Sequence, residues 1–370
     1  MLTVYIKPTN YCNVGCDHCY LPEEVRKDKS RMDLSQWRAS IRFARSIAKA
    51  RGDDSIQLIW HGGDPFVLPP DWMMEAGLAA REELDGVRHS QAIQSSIIPF
   101  RREHVPVVHE IFGGGIGSSI DFTQRTIGGS VDNYLELFMR KVDIARENGI
   151  HVGCIMVPTV KETQKGKAKW IVDWMEGNGF DGIHIERFND FGSGKGSPLR
   201  PSNAQQSHFL IEMFDVVVER FVSNGTLFVT NTVYGALNGI LRGVSGDKWG
   251  TTCQHDFVII NPDGRLNTCP DRIEEEIGDY GRVQDGVKNF LESTTRKKWV
   301  RHSRTTHQKS WCMTCEFNSW CKSGCPLIEN EPYPNCSGFK PYLLHVKDFC
   351  RGNRSVAREI LSSLDEVLNQ

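Results

Sequence analysis

The chain lacks any apolar run near the ~20 residues that a membrane-spanning helix needs. It lacks an excess of either charge: 44 basic residues against 46 acidic ones leave a formal net charge of −2. That balance gives no footprint for nonspecific nucleic-acid binding or for an anionic membrane surface. The first residues hold no charged stretch followed by an apolar one, so no secretory signal is read. No internal repeat or low-complexity tract occurs. Cysteine is nearly missing from the middle of the chain, where Cys154 stands alone between residues 20 and 250.

Cysteine is plentiful at the ends. Of twelve, three fall within the first twenty residues and eight follow residue 250. An even count invites a disulfide reading, but a 370-residue chain with 39% apolar residues can bury a core without staples. Reduced, metal-binding thiols in a cytoplasmic protein are the expectation.

Short apolar runs alternate with helical patterns through the first two-thirds. Strands are expected near residues 2–6, 55–60, 91–98, 115–121, 151–157 and 182–188. Between them, Trp37, Ile41, Ala44, Ile47 and Ala48 recur at helical spacing, as do Tyr134, Phe138 and Val142. Ser202 and Gln205 form a capping box before another helix. Six strands alternating with helices predict a partial (β/α)6 barrel, TIM-like but two strands short of closure. It is expected over residues 1–235. A cysteine-rich domain is expected over 236–345, and an amphipathic helix over 346–370, with Ile360, Leu361, Leu364, Val367 and Leu368 on one face.

Cys12, Cys16 and Cys19 follow the first strand at a Cys-x3-Cys-x2-Cys spacing. Three thiolates on one loop can hold three corners of a cubane cluster and leave the fourth iron open for a small molecule. Zinc would want a fourth donor, and His18, between two of the cysteines, is poorly placed to turn back onto the same metal.

This segment resembles the signature of the radical S-adenosylmethionine (SAM) superfamily, and the resemblance runs over nearly the whole chain. It implies a [4Fe–4S] cluster on Cys12, Cys16 and Cys19, SAM on the open iron, and a 5′-deoxyadenosyl radical as oxidant. By the same resemblance, His18 packs near the adenine. Gly62, Gly63 and Asp64 occupy the Gly-Gly-Glu-Pro segment that meets the SAM amino group, with Asp64 in place of the usual Glu. Ser119 and Asp121 meet the ribose, Arg125 pairs with the carboxylate, and Phe188 faces the adenine.

The later cysteines resemble the SPASM domain of radical SAM peptide and protein maturases, which holds two auxiliary [4Fe–4S] clusters. Position by position, Cys312, Cys315, Cys321 and Cys336 ligate the outer cluster. Cys253, Cys269 and Cys325 ligate the inner one, whose fourth ligand stays open. Cys350 is a spare that competes with Cys336; Cys336 is preferred because the segment around it resembles the usual closing segment.

The resemblance therefore implies three [4Fe–4S] clusters, SAM, and an external electron donor such as flavodoxin or ferredoxin. The leading expectation is a maturase that oxidatively modifies or crosslinks a residue of a ribosomally made peptide. Asp271 would take up the substrate proton. The alternatives are an anaerobic sulfatase maturase that makes formylglycine, and a radical SAM oxidoreductase acting on a small molecule. A non-enzymatic Fe–S electron carrier is disfavoured by the SAM-like strand ends. With Cys12 so near the start, peptide recognition is expected to need a separate leader-recognition protein or the SPASM surface. The basic run Lys297, Lys298, Arg301, Arg304 and Lys309 is either a docking strip for an acidic leader or a solvated face.

Overall fold

Strand β1, Leu2–Thr9, places Leu2, Val4 and Ile6 on one face, and all three are fully buried. Seven further strands join it in a computed structural model that describes residues 1–246, 248–250, 253–267, 269–270 and 280–368. They are β2 (Ser55–Gly62), β3 (Arg88–Ser95), β4 (Gly115–Ser119), β5 (His151–Met156), β6 (His184–Ile185), β7 (Phe257–Ile260) and β8 (Leu266–Asn267). Hydrogen bonding gives the order β8-β7-β1-β2-β3-β4-β5-β6. The pairs β1–β2, β2–β3, β3–β4, β5–β6 and β1–β7 are parallel, and β7–β8 is antiparallel.

The six expected strands are β1 to β6. The sequence placed everything beyond residue 235 outside the barrel, whereas β7 pairs along β1 and extends the same sheet. The reason is that Phe257–Ile260 is a four-residue apolar run whose partner lies at the other end of the chain. Periodicity sees only local pattern and cannot assign such a pairing.

Compactness divides the chain differently from composition. One unit comprises Met1–Gly153, Asn189–Ser197 and Thr252–Val300, and the other Cys154–Phe188, Pro198–Thr251 and Arg301–Gln370. Strand β5 begins in the first and ends in the second.

In the first unit, helix Leu34–Arg51 starts on a capping box. The Asp33 carboxylate accepts from the Gln36 backbone at 2.7 Å, and the Asp33 backbone N–H donates to the Gln36 side chain at 3.0 Å. Its apolar stripe buries Trp37, Ile41, Ala44, Ile47 and Ala48, with Trp37 and Trp60 ring centroids 4.3 Å apart. Burial of each large side chain contributes roughly 1.5–3 kcal/mol. This clamps the outer face of β1 and β2 and leaves Tyr5, Lys7 and His61 for the opposite face.

In the second unit, helix Asn203–Asn224 opens on the Ser202–Gln205 capping box. The last helix, Arg354–Leu368, buries Ala357, Ile360, Leu361 and Leu364. Val367 and Leu368, expected on the same face, are exposed because the helix runs out beyond its contacts. Its Asp365 accepts from the Tyr234 hydroxyl at 3.2 Å and pairs with Arg242 at 2.5 Å. No helix among the described residues is long and apolar enough to cross a membrane.

Candidate functional site

The loop after β1 is tied down by its own backbone. The Cys12 N–H donates to the Arg26 carbonyl at 3.1 Å, the Cys19 N–H donates to the Cys16 carbonyl at 3.3 Å, and Gly15–Cys16 pairs antiparallel with Arg125–Thr126. These contacts gather the three thiols. Burial pushes the Cys12 thiol up to about 12, with Asp64 and the other two thiols adding to the effect. Cys16 is pushed up to about 11 by burial, against the pull of Arg125. Cys19 is also raised, again mainly by burial. Thiols held this way ionise poorly by themselves, and a bound cationic centre would supply the missing counter-charge.

Gly62 and Gly63 pack against the cluster loop. Gly62 has φ 124°, and a Cβ there would lie 2.2 Å from the Thr9 carbonyl oxygen. A Cβ on Gly63 would lie 2.2 Å from the Asn10 carbonyl oxygen and 2.3 Å from that of Tyr11. The Gly63 and Asp64 N–H groups donate back to Thr9 and Tyr11 at 3.1 and 3.0 Å. The two glycines therefore set the position of the segment entering Cys12.

Asp64 follows these glycines. It is fully buried, and its carboxylate accepts from the Ser95 hydroxyl at 2.6 Å, the Phe66 N–H at 3.2 Å, the Ser96 N–H at 3.0 Å and the Ser96 hydroxyl. These bonds commit the side chain to joining β2 to the end of β3, while the Asp64 N–H donates to Tyr11 and its carbonyl accepts from the Val67 N–H.

Asp121 and Arg125, assigned from the resemblance to a ribose and a carboxylate, bind each other: Arg125 Nε donates to Asp121 Oδ2 at 2.5 Å. Arg125 Nη1 also donates to Cys16 Sγ at 3.4 Å. His18 Nε2 lies 3.8 Å from Asp121 Oδ2, and burial pushes its imidazole down to about 4. Ser119 accepts from Gln94 at 3.0 Å through its hydroxyl, and from the Tyr134 hydroxyl at 2.6 Å through its carbonyl. Thus Cys12, Cys16, Cys19, His18, Gly62, Gly63, Asp64, Ser119, Asp121 and Arg125 all belong to the first unit. Phe188 is buried in the second.

Sequence reasoning missed a neighbouring cluster on β1 and β2. Lys7 is fully buried; its ammonium donates to the Pro270 carbonyl at 2.6 Å and sits 4.6 Å over the Tyr20 ring. The Tyr20 hydroxyl donates to the Gly62 carbonyl at 2.6 Å and lies 3.3 Å from His61 Nδ1. Burial, helped by Lys7, pushes His61 down to about 3. The available signal was a lysine within an otherwise apolar strand. Also missed was Gly192, whose close approach to the Cys19 and Tyr20 carbonyls brings the Gly192–Gly194 turn over the cluster loop.

The second unit brings together Cys312, Cys315, Cys321 and Cys336 around one cavity, with Trp311 and Asn330 also in its wall. Cys312 and Cys321 sit on the short helices Ser310–Met313 and Asn318–Cys321. Lys322, Ser323 and Gly324 then run through left-handed conformations at φ 52°, 70° and 68° and turn the chain sharply. A Cβ on Gly338 would lie 2.5 Å from Cys321 Sγ, so only glycine leaves that sulfur its space. The Lys340 N–H donates to Cys336 Sγ at 3.2 Å. Cys321 is pushed up to about 12 by burial and by Cys336 and Cys315, while the Ser323 N–H and Arg187 pull the other way. Cys350 is buried on helix Lys340–Gly352, does not line this cavity, and is raised to about 11 by burial alone.

Among the described residues, no three His, Cys, Asp or Glu side chains converge as a site for a single metal ion. Four soft thiols on the walls of one cavity, with a glycine cleared for sulfur, fit an iron–sulfur cluster. Cys253 and Cys269 lie in the first unit and Cys325 in the second. Asp271 falls outside the described residues. In the basic run, Lys297, Lys298, Arg301, Arg304 and Lys309 are exposed, while the adjacent Arg296 is buried, 4.8 Å over the Phe290 ring.

No family model matches the chain. A protein of Archaeoglobus fulgidus, described as uncharacterised, is 22% identical over 363 residues, covering 94% of this chain and 81% of its own length. Among solved structures, anSMEcpe, an anaerobic sulfatase maturase with bound AdoMet and Cp18Cys peptide, aligns at TM-score 0.79 and 17% identity. That alignment covers 98% of this chain and 99% of that one. Streptococcus suis SuiB bound to precursor peptide SuiA aligns at TM-score 0.58 and 16% identity, over 88% of this chain and 72% of that one. The chain shares the fold of these proteins.

Proposed function

We propose that the chain is a radical SAM maturase of the SPASM type, acting oxidatively on a residue of a peptide or protein substrate. The observation that carries the reading is the gathering of Cys12, Cys16 and Cys19 beside Asp121 and Arg125, at the loop ends of a largely parallel sheet. Three thiols leave one corner of a cluster open, and the charged residues beside it suit a zwitterionic amino acid moiety. Cys12, Cys16 and Cys19 would hold the cluster, and with SAM bound it would supply the radical chemistry that abstracts a hydrogen atom.

The chain's own residues then position and shield. Gly62 and Gly63 hold the cluster loop against β2. With a cluster bound, Arg125 would offset thiolate charge at Cys16, and it is proposed for the SAM carboxylate, with His18, Ser119 and Phe188 proposed for the adenosine. Cys312, Cys315, Cys321 and Cys336 are proposed ligands of an outer auxiliary cluster, and Cys253, Cys269 and Cys325 of an inner one. Asp271 is proposed to accept the substrate proton, a role that requires hydrogen-bond reach of the substrate. An external flavodoxin or ferredoxin would supply electrons.

Crosslinking of a ribosomally made peptide is the leading activity. Formylglycine formation is the second reading, and the more extensive fold match to a sulfatase maturase favours it over an activity on small molecules.

The test is anaerobic reconstitution followed by an assay for 5′-deoxyadenosine. The native chain is expected to bind about twelve irons, three clusters of four, and to cleave SAM. The Cys12/Cys16/Cys19→Ala variant is expected to keep about eight irons and make no 5′-deoxyadenosine. Cleavage at the native rate in that variant overturns the reading. Mass spectrometry of candidate peptides then separates a crosslink from a formylglycine. In the same assay, Asp271→Asn is expected to abstract hydrogen without forming product, and normal product formation removes it from the mechanism.

A further inference from the structure

Two buried polar side chains lie beside the four-cysteine cavity, Arg187 and Asn330. Arg187 follows β6 and is 5% exposed. Its Nη2 donates to the Ser337 carbonyl at 2.7 Å, and its guanidinium lies 3.9 Å over the Phe339 ring. Ser337 and Phe339 flank Gly338, the residue that leaves room for the Cys321 sulfur. This puts a permanent cation next to the thiol set. Burying a guanidinium is costly, and a neighbouring anionic centre offsets that cost.

Asn330 is also buried. Its Nδ2 donates to Cys312 Sγ and to the His307 carbonyl, both at 3.3 Å, and its Oδ1 accepts from the Ser337 N–H at 3.4 Å. Ser337 therefore links the two residues: Arg187 takes its carbonyl and Asn330 its N–H. An N–H donor on a ligating sulfur and a buried cation nearby act in one direction. Both favour the form of a cluster that carries one more electron.

We propose that Arg187 and Asn330 raise the reduction potential of the iron–sulfur centre held by Cys312, Cys315, Cys321 and Cys336, poising it as an electron acceptor. This rests on the cluster assignment made above. The two residues are positioning residues, since neither touches substrate or SAM.

The test uses the full chain, reconstituted anaerobically, in a redox titration followed by electron paramagnetic resonance. The outer centre is identified as the signal lost, with about four irons, in the Cys312→Ala/Cys336→Ala variant. Arg187→Met and Asn330→Asp are each expected to keep the iron and move the midpoint potential of that signal downward. Arg187→Lys keeps the cation and is expected to stay nearer the native potential than Arg187→Met. Arg351→Gln removes a solvent-exposed cation of helix Lys340–Gly352 and is expected to leave the potential unchanged. Variants that keep their iron at the native potential overturn the proposal. So does loss of the iron in both Arg187→Lys and Asn330→Asp, which would make the pair builders of the site. A native chain whose iron content does not depend on Cys312 and Cys336 removes the cluster assignment itself, and the proposal with it.

Discussion

The two thiol sites solve different problems with the same side chain. The N-terminal site has three cysteines on one loop after a strand, and its other neighbours are the charged pair Arg125 and Asp121 and the buried imidazole of His18. The C-terminal site has four cysteines from separate short turns, and its neighbours are backbone N–H groups, an amide and one buried cation. Three thiols on a charged rim leave a corner for a polar molecule. Four thiols around one cavity would leave none if they hold the proposed cluster, which would then suit electron transfer. The open site depends on a rigid sheet end, and the closed site on tight turns.

If that contrast holds, damage to each site should stay local. The largest effect is expected from Gly63→Ala. Its Cβ would collide with the Asn10 and Tyr11 carbonyls and displace the loop entering Cys12. Misplacement by about 1 Å costs on the order of 10²-fold in rate, so 5′-deoxyadenosine formation should fall by about that factor. The electron paramagnetic resonance signal of the outer centre should be unchanged. Loss of both together would show that the sites are not independent.

A smaller, discrete effect separates Cys336 from Cys350. Cys336 lines the cavity and Cys350 does not. Cys336→Ser is expected to lower iron by up to about four per chain, and Cys350→Ser to leave it unchanged. The opposite result would transfer the fourth ligand to Cys350.

The smallest effect concerns pH and the support of the closed site. His307 Nε2 lies 3.1 Å from the Ser323 carbonyl, and burial pushes the imidazole down to about 4. An unfolded histidine takes up a proton near pH 6.5, so between about 6.5 and 4 the unfolded state binds more protons than the folded one. Stability is therefore intact above that window and declines as pH falls through it, by on the order of 1–2 kcal/mol from this group. His307→Gln should flatten that part of the stability–pH curve, read by chemical denaturation at several pH values. An unchanged slope would place the titration elsewhere.

Much of this was visible in the chain itself. The strands β1 to β6 and the helix stripes followed from periodicity, and the Ser202 cap from local hydrogen-bond chemistry. The three N-terminal cysteines lie close in sequence, so their spacing alone made them a group. The hydrogen-bond partners of Asp64 and Asp121 were not legible. A motif position says which residue stands there, and not whether its side chain already has partners. Asp64 is occupied by Ser95 and Ser96, and Asp121 by Arg125.

By itself the sequence determined the alternation of strands and helices, the N-terminal thiol triad and the cysteine-rich end, because all three rest on spacing along the chain. Only the tertiary structure decided that β7 extends the sheet beside β1 and that Lys7, Tyr20 and His61 form one polar cluster. It also decided that Arg187 lies beside the four cysteines of the second unit. Each of these is a contact between residues far apart in the chain. Such contacts form only when burial of the core fixes where distant segments meet, and no local pattern records that outcome.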